Sequence, residues 1–225
     1  MALNLVREID DRVTVRHVLV SVSDKTGLEQ LIPGIIAASQ DVRIYSTGGT
    51  FTALEALLGR GSRNLVQVSE YTGQPEMQGG LVKTLDFRIY LGLLSETYNA
   101  AHRADLERTG AVPFDLVVVN LYPFQKTVAV AGVTPEAART NIDIGGPCMV
   151  RASAKNYLRV ASITDPADYP MVLDELQRNQ GSVSLALRFR LMQKAFRHTS
   201  EYDTAIAKFF AGVTLELAAA TYTCH

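Results

Sequence analysis

The chain has 225 residues, 47% of them apolar, which supports one large domain or one domain with an appendage. Lysine and arginine total 22 against 23 aspartates and glutamates, so no electrostatic footprint for DNA or RNA exists, although a small anion needs only a local cluster of donors. The two cysteines, Cys148 and Cys224, fit no metal spacing, the acid-containing start is no signal peptide, and no apolar run is long enough to span a membrane; these features imply a soluble cytoplasmic protein with free thiols.

Residues 1–16 read as a charged, peripheral lead-in, 17–211 as the folded domain and 212–225 as a C-terminal tail. HVLVSVS (17–23) is a short β-branched run and predicts a buried strand. Leu28, Leu31, Ile32, Ile35 and Ile36 follow at helical spacing, with Pro33 inside the pattern arguing for a late start or a kink. VRIYST (42–47) predicts a second strand ending at Gly48-Gly49, TFTALEALL (50–58) a helix and LVQVS (65–69) a third strand. A glycine-containing loop, YTGQPEMQGG, leads into the irregular segment LVKTLDFRIYLGLL, and residues 98–109 predict a helix. FDLVVVNLY (114–122) is apolar almost throughout, as expected of a strand covered on both faces. GGPCMVRASAK opens with a tight turn and reads as helix, RVASIT (159–164) as a strand, and 184–210 as a helix burying Phe189, Met192, Phe196, Tyr202, Ile206 and Phe209. The alternation predicts a doubly wound α/β domain with a mostly parallel sheet. Ligands in such sheets bind beyond the carboxyl ends of the strands.

The residues at those ends are therefore the candidates. SVSDKTG after the first strand offers Ser21, Ser23, Lys25 and Thr26; STGGT after the second offers Ser46, Thr47 and Thr50, with Gly48 and Gly49 admitting close backbone approach. Either loop alone favours a helix cap and an ordinary turn. Two on neighbouring strands favour one phosphate site at helix starts. Neither is a P-loop or a GxGxxG fingerprint, so an ATPase or a dinucleotide enzyme is not indicated. NLYPF places Asn120 and Tyr122 at the end of the strongest strand; a lone tyrosine there is more often a core residue with its hydroxyl at the rim. Lys83, taken alone, reads as a solvated charge. In DIGGPCMVRASAK, Asp143 and Lys155 bracket a small-residue helix about two turns apart, where a capping acid and a surface lysine compete with the alternative that costly charges are functional.

SVSDKTG, STGGT, PEMQGG leading to VKTL, NLYPF, NIDIGG, RASAKN and AFRHTSEYD together resemble the inosine-monophosphate (IMP) cyclohydrolase domain of the bifunctional purine-biosynthesis enzyme, in family order from about residue 17 to about residue 210. The resemblance implies a methylglyoxal-synthase-like fold. It implies dehydrative closure of a formamido-imidazole-carboxamide ribonucleotide (FAICAR) to IMP, with no metal and no organic cofactor, in a homodimer. It places Lys83, Tyr122, Asp143 and Lys155 on catalytic positions: Asp143 assisting deprotonation of the carboxamide, Tyr122, Lys83 and amides near Gly145 and Gly146 stabilising the oxyanion, and Lys155 holding Asp143 ionised or moving a proton. Ser21, Ser23, Lys25, Thr47, Gly49 and Thr50 would bind the 5′-phosphate, with Thr26, Gly48, Thr84, Asn120, Gly145 and Gly146 completing the substrate site. The family's formyltransferase domain has no counterpart here, so a separate enzyme would supply the substrate.

The match breaks at GLVKTLDFRIY. Leu81 stands where the family has arginine, Asp86-Phe87 where it has His-Pro, and Tyr90 where it has a further histidine. Leucine cannot replace a five-donor guanidinium, though Arg88 is placed to reach back. A non-catalytic nucleotide-binding or regulatory domain of the same fold is thus the competing reading. A methylglyoxal synthase fits NLYPF and RASAKN less well.

Overall fold

The computed structural model describes residues 5–75 and 83–223. In chain order the elements are β1 (Arg12–Thr14), β2 (His17–Val22), α1 (Leu28–Ala38), β3 (Arg43–Ser46), α2 (Gly48–Leu58), β4 (Leu65–Gln67), α3 (Val68–Thr72), α4 (Phe87–Leu94) and α5 (Ala100–Thr109). They continue with β5 (Leu116–Asn120), α6 (Phe124–Val128), α7 (Pro135–Thr140), α8 (Gly145–Lys155), β6 (Ala161–Ile163), α9 (Tyr169–Arg178), β7 (Ser182–Ser184), α10 (Leu185–Ala211) and α11 (Leu215–Ala219). Five parallel strands form the central sheet in the order β4-β3-β2-β5-β6, flanked by helices on both faces. The doubly wound α/β expectation holds.

Strand alternation splits the core in two. On β2, Val18, Val20 and Val22 face one cluster, with Leu31, Ile32 and Ile35 of α1 and Leu191 of α10. Leu19 faces the other, with Val117 and Val119 of β5, Ile89 of α4, Val150 of α8 and Tyr202 of α10. Leu31, Ile32 and Ile35 are completely buried, each contributing roughly 1.5–3 kcal/mol. Helix α1 starts at Leu28 and continues past Pro33, so its start is not delayed. Helix α2 begins at the two glycines rather than after them, and β4 is cut short because Val68–Thr72 turns into α3. The segment read as irregular contains α4, whose start is capped by Asp86 accepting from the Arg88 amide at 2.8 Å.

Two further expectations change. The lead-in is not peripheral at residues 12–15: β1 pairs antiparallel with β7, and Val13 and Val15 are buried. On α10, Phe189 is exposed and packs edge-on against Tyr157, while Leu187, Arg188, Leu191 and Ala195 are the buried residues of that half. Arg188 is the unexpected member. All five of its guanidinium hydrogens are spent on backbone carbonyls, of Tyr157, Asp11, Val183, Asp10 and Leu158 at 2.6–3.1 Å, which compensates a fully buried charge.

Candidate functional site

The strand order reverses between β2 and β5: the chain winds outward from β2 through β3 and β4, then returns to β2's other side with β5. That topological switch leaves a crevice beyond the carboxyl ends of these strands. Val22 pairs with Asn120 across its floor. The Asn120 carboxamide clamps the SVSD loop, donating from Nδ2 to the Asp24 carbonyl and accepting at Oδ1 from the Asp24 amide, both at 2.8 Å. Thr50 does the same on the other side, accepting from the Val22 amide at 3.1 Å and donating to the Val22 carbonyl at 3.0 Å. Between the clamps, Thr47 follows β3 in extended conformation and Gly48 opens α2 at φ +49°, a left-handed geometry that favours glycine. The Lys83 Nζ lies over it, 2.7 Å from where a Cβ on residue 48 would stand.

Asp143 enters from the loop ahead of α8. Its Oδ1 accepts from the Gly146 amide at 2.8 Å, and its own amide donates to the Tyr202 hydroxyl at 2.7 Å. A Cβ at Gly146 would meet Asp143 Oδ2 at 2.5 Å, so glycine is what lets the helix start close on the carboxylate. Burial raises the Asp143 pKa above the ordinary carboxylate value, opposed by hydrogen bonds from the Gly146 and Tyr122 amides. The group is thereby more basic than a free aspartate yet supplied with donors for its ionised form.

Every candidate residue except Ser46, Thr26 and Lys155 lines one cavity of about 400 Å³; Ser46 is fully buried and its hydroxyl donates to the Val20 carbonyl at 2.8 Å. Thr26 is exposed and its amide donates to the Asp24 carboxylate. Lys155 is the last residue of α8 and exposed, nearly three turns and about 15 Å along the axis from Gly145. The carboxamide of Asn120, the hydroxyl of Thr50 and the amide of Gly146 are already engaged within the protein, so these three shape the site rather than present free donors. Leu81 lies outside the described residues. Among the described residues, Arg88 is not part of the cavity lining and its Nη1 donates to the Tyr71 carbonyl at 2.8 Å. Phe87 is exposed, and the buried Tyr90 hydroxyl has no hydrogen-bond partner among the described residues. Sequence reasoning missed Leu85, Ile144 and Met149 in the lining, which carry no polar signal, and the Tyr202 contact to Asp143. A larger cleft of about 890 Å³ lies across Asn120 and Ser23, but its Lys194 is held between Asp165 and Asp168 at 2.7 and 2.8 Å.

A family model described as the MGS-like domain matches residues 35–148, half of the chain, and includes the STGGT loop, Lys83, Tyr122 and Asp143. The chain belongs to the MGS-like domain family. A second model, the AICARFT/IMPCHase bienzyme, matches residues 153–224. Curated relatives are bifunctional purine biosynthesis proteins PurH. That of Sorangium cellulosum is 48% identical over 202 residues, covering 90% of this chain and 37% of the relative. That of Ruminiclostridium cellulolyticum is 45% identical over 195 residues, covering 87% and 37%. The chain therefore spans little more than a third of the length of the relatives it matches. Among solved structures, that of ForH is 30% identical with a TM-score of 0.73, covering 88% of this chain and all of ForH. The resemblance to the IMP cyclohydrolase domain of PurH-type proteins, carried by the motifs from SVSDKTG to AFRHTSEYD, is borne out by the two models and these relatives. Among the described residues, no helix of this MGS-like domain is long and apolar enough to cross a membrane.

Proposed function

We propose that the chain is an IMP cyclohydrolase, closing FAICAR to IMP in purine biosynthesis. The observation that carries this reading is the meeting of Asp143, Tyr122 and Lys83 with two hydroxyl-rich loops in one cavity at the switch point. Ser21, Ser23, Lys25 and Thr47, with the backbone at Gly48 and Gly49, take the 5′-phosphate. The carboxamide nitrogen adds to the formyl carbon as its proton passes to Asp143, whose raised pKa suits it to accept one. Tyr122 and Lys83 stabilise the formyl oxygen as it gains charge. That oxygen takes up the proton held by Asp143 and a second one, released by the former formamido nitrogen as the C–O bond breaks and the C=N bond forms, and leaves as water. Holding nitrogen and carbon in contact supplies a large share of the rate.

The direction of reaction, a homodimeric assembly, a cytoplasmic setting and a separate formyltransferase as the source of FAICAR belong to the same proposal. If Lys155 serves a reaction site, its distance from Asp143 along α8 makes that the site of a second copy. The second reading, a nucleotide-binding domain without chemistry, is favoured by one observation: the Arg88 guanidinium that stands nearest in sequence to the changed loop is committed to Tyr71.

The test is purified protein with FAICAR, following IMP formation by ultraviolet absorbance against a blank without protein. Acceleration that disappears in Asp143→Asn supports the enzyme. No acceleration, with IMP still bound in calorimetry, supports the binding domain.

A further inference from the structure

The segment AFRHTSEYD (195–203) carries part of the family resemblance, yet ring closure as described gives it no task. It lies on α10, outside the cavity. From there Tyr202 reaches the acid loop, accepting from the Asp143 amide at 2.7 Å and directing its own proton toward the Asn141 carbonyl at 3.5 Å. The Asp143 amide precedes α8, whose helical bonding begins with the Cys148 amide on the Ile144 carbonyl, so the helix supplies it with no acceptor. The phenol ring is itself fixed: it is buried and meets the fully buried Phe124 edge-on at 6.2 Å. Phe124 follows Tyr122 by two residues, so the acid loop and the Tyr122 strand end are referenced to one aromatic contact.

We propose that Tyr202 is a positioning residue for Asp143, its hydroxyl fixing the backbone from which the carboxylate is presented to substrate. Three bonds then define the acid: the Gly146 and Tyr122 amides hold the carboxylate, and Tyr202 holds the main chain behind it. Small displacements of a reacting group from such a position are expensive in rate. This inference rests on the reading that Asp143 acts in ring closure.

Tyr202→Phe keeps the ring and its packing on Phe124 while deleting the acceptor. The full-length variant is compared with wild type for FAICAR turnover, IMP affinity by calorimetry, and amide hydrogen exchange of residues 141–146. The expected result is a fall in kcat of about ten- to a hundredfold, IMP affinity within about twofold, and faster exchange in that segment. In an Asp143→Asn background the same substitution adds no further loss of kcat, because the two residues act through one another; a merely structural tyrosine would lower activity in both backgrounds. A variant with kcat within about twofold of wild type, unchanged exchange, or a loss of IMP affinity matching the loss of kcat overturns the proposal. A wild-type chain inactive toward FAICAR sinks the cyclohydrolase reading and with it the catalytic purpose given to Tyr202, while the exchange comparison separates that failure from a wrong account of the contact.

Discussion

At the scale of single residues, Asp143 sits under opposing pressures. Burial raises its pKa and the Gly146 and Tyr122 amides pull it back, with the net shift upward. A carboxyl whose folded pKa exceeds its unfolded value, about 3.9, favours the fold below that unfolded value and weighs against it once pH rises through the folded one. Asp143→Asn is therefore expected to melt above wild type at pH 7 and level with it near pH 3.5 or below, checked by thermal melts at the two pH values. The same variant loses turnover by roughly 10²–10⁴-fold while IMP affinity holds, an exchange of stability for activity that would identify the residue as functional. Lys25 lines the same cavity from the loop after β2, to which the proposed function gives the 5′-phosphate. Lys25→Ala is expected to weaken IMP binding by about ten- to a hundredfold in calorimetry, with kcat much less affected.

At the scale of elements, the start of α8 is where packing and chemistry meet. A methyl group at residue 146 would fall 2.5 Å from Asp143 Oδ2 and 2.6 Å from Leu121 Cδ2, so the acid, the leucine side chain or the helix start must shift to admit it. Gly146→Ala is expected to cost about 1–3 kcal/mol in urea denaturation and to lower turnover with it. Much of this arrangement was legible beforehand. Continuous apolar runs announced β2, β3 and β5, and the loops after them held the hydroxyls, because strand ends at a switch point are where such folds place ligands. The misses have physical causes. The three-residue strands β1 and β7 are too short for periodicity to register, and β1 lies in a charged stretch. Helix α4 runs from Phe87 to Leu94 with little polar face to mark it. Lys155 shares a motif with Asp143, yet the length of an eleven-residue helix separates them. The bond from Asp143 to Tyr202 joins residues 59 apart in sequence, and nothing local encodes it.

At the scale of the molecule, α10 is the element that makes one body of two cores. Its 27 residues span about 40 Å. Leu187 and Leu191 pack into the core on one face of the sheet, and Ala195 and Tyr202 into the core on the other. The two faces should consequently fail together. Leu191→Ala, at a position 1% exposed, is expected to cost about 2–5 kcal/mol and still to unfold in a single transition, with far-ultraviolet dichroism and tyrosine fluorescence coincident. Two resolved transitions would mean that the faces are coupled only weakly. The same helix carries Arg188, which secures the lead-in by grasping carbonyl oxygens and no side chain. A group that reads only the main chain is indifferent to which amino acid supplies it. Positions 10, 11, 157, 158 and 183 are therefore free to drift through generations as far as this contact is concerned, while residue 188 is not, so this share of what keeps the N-terminal strand in place, beside its pairing with β7, rests on a single codon far from it in the message.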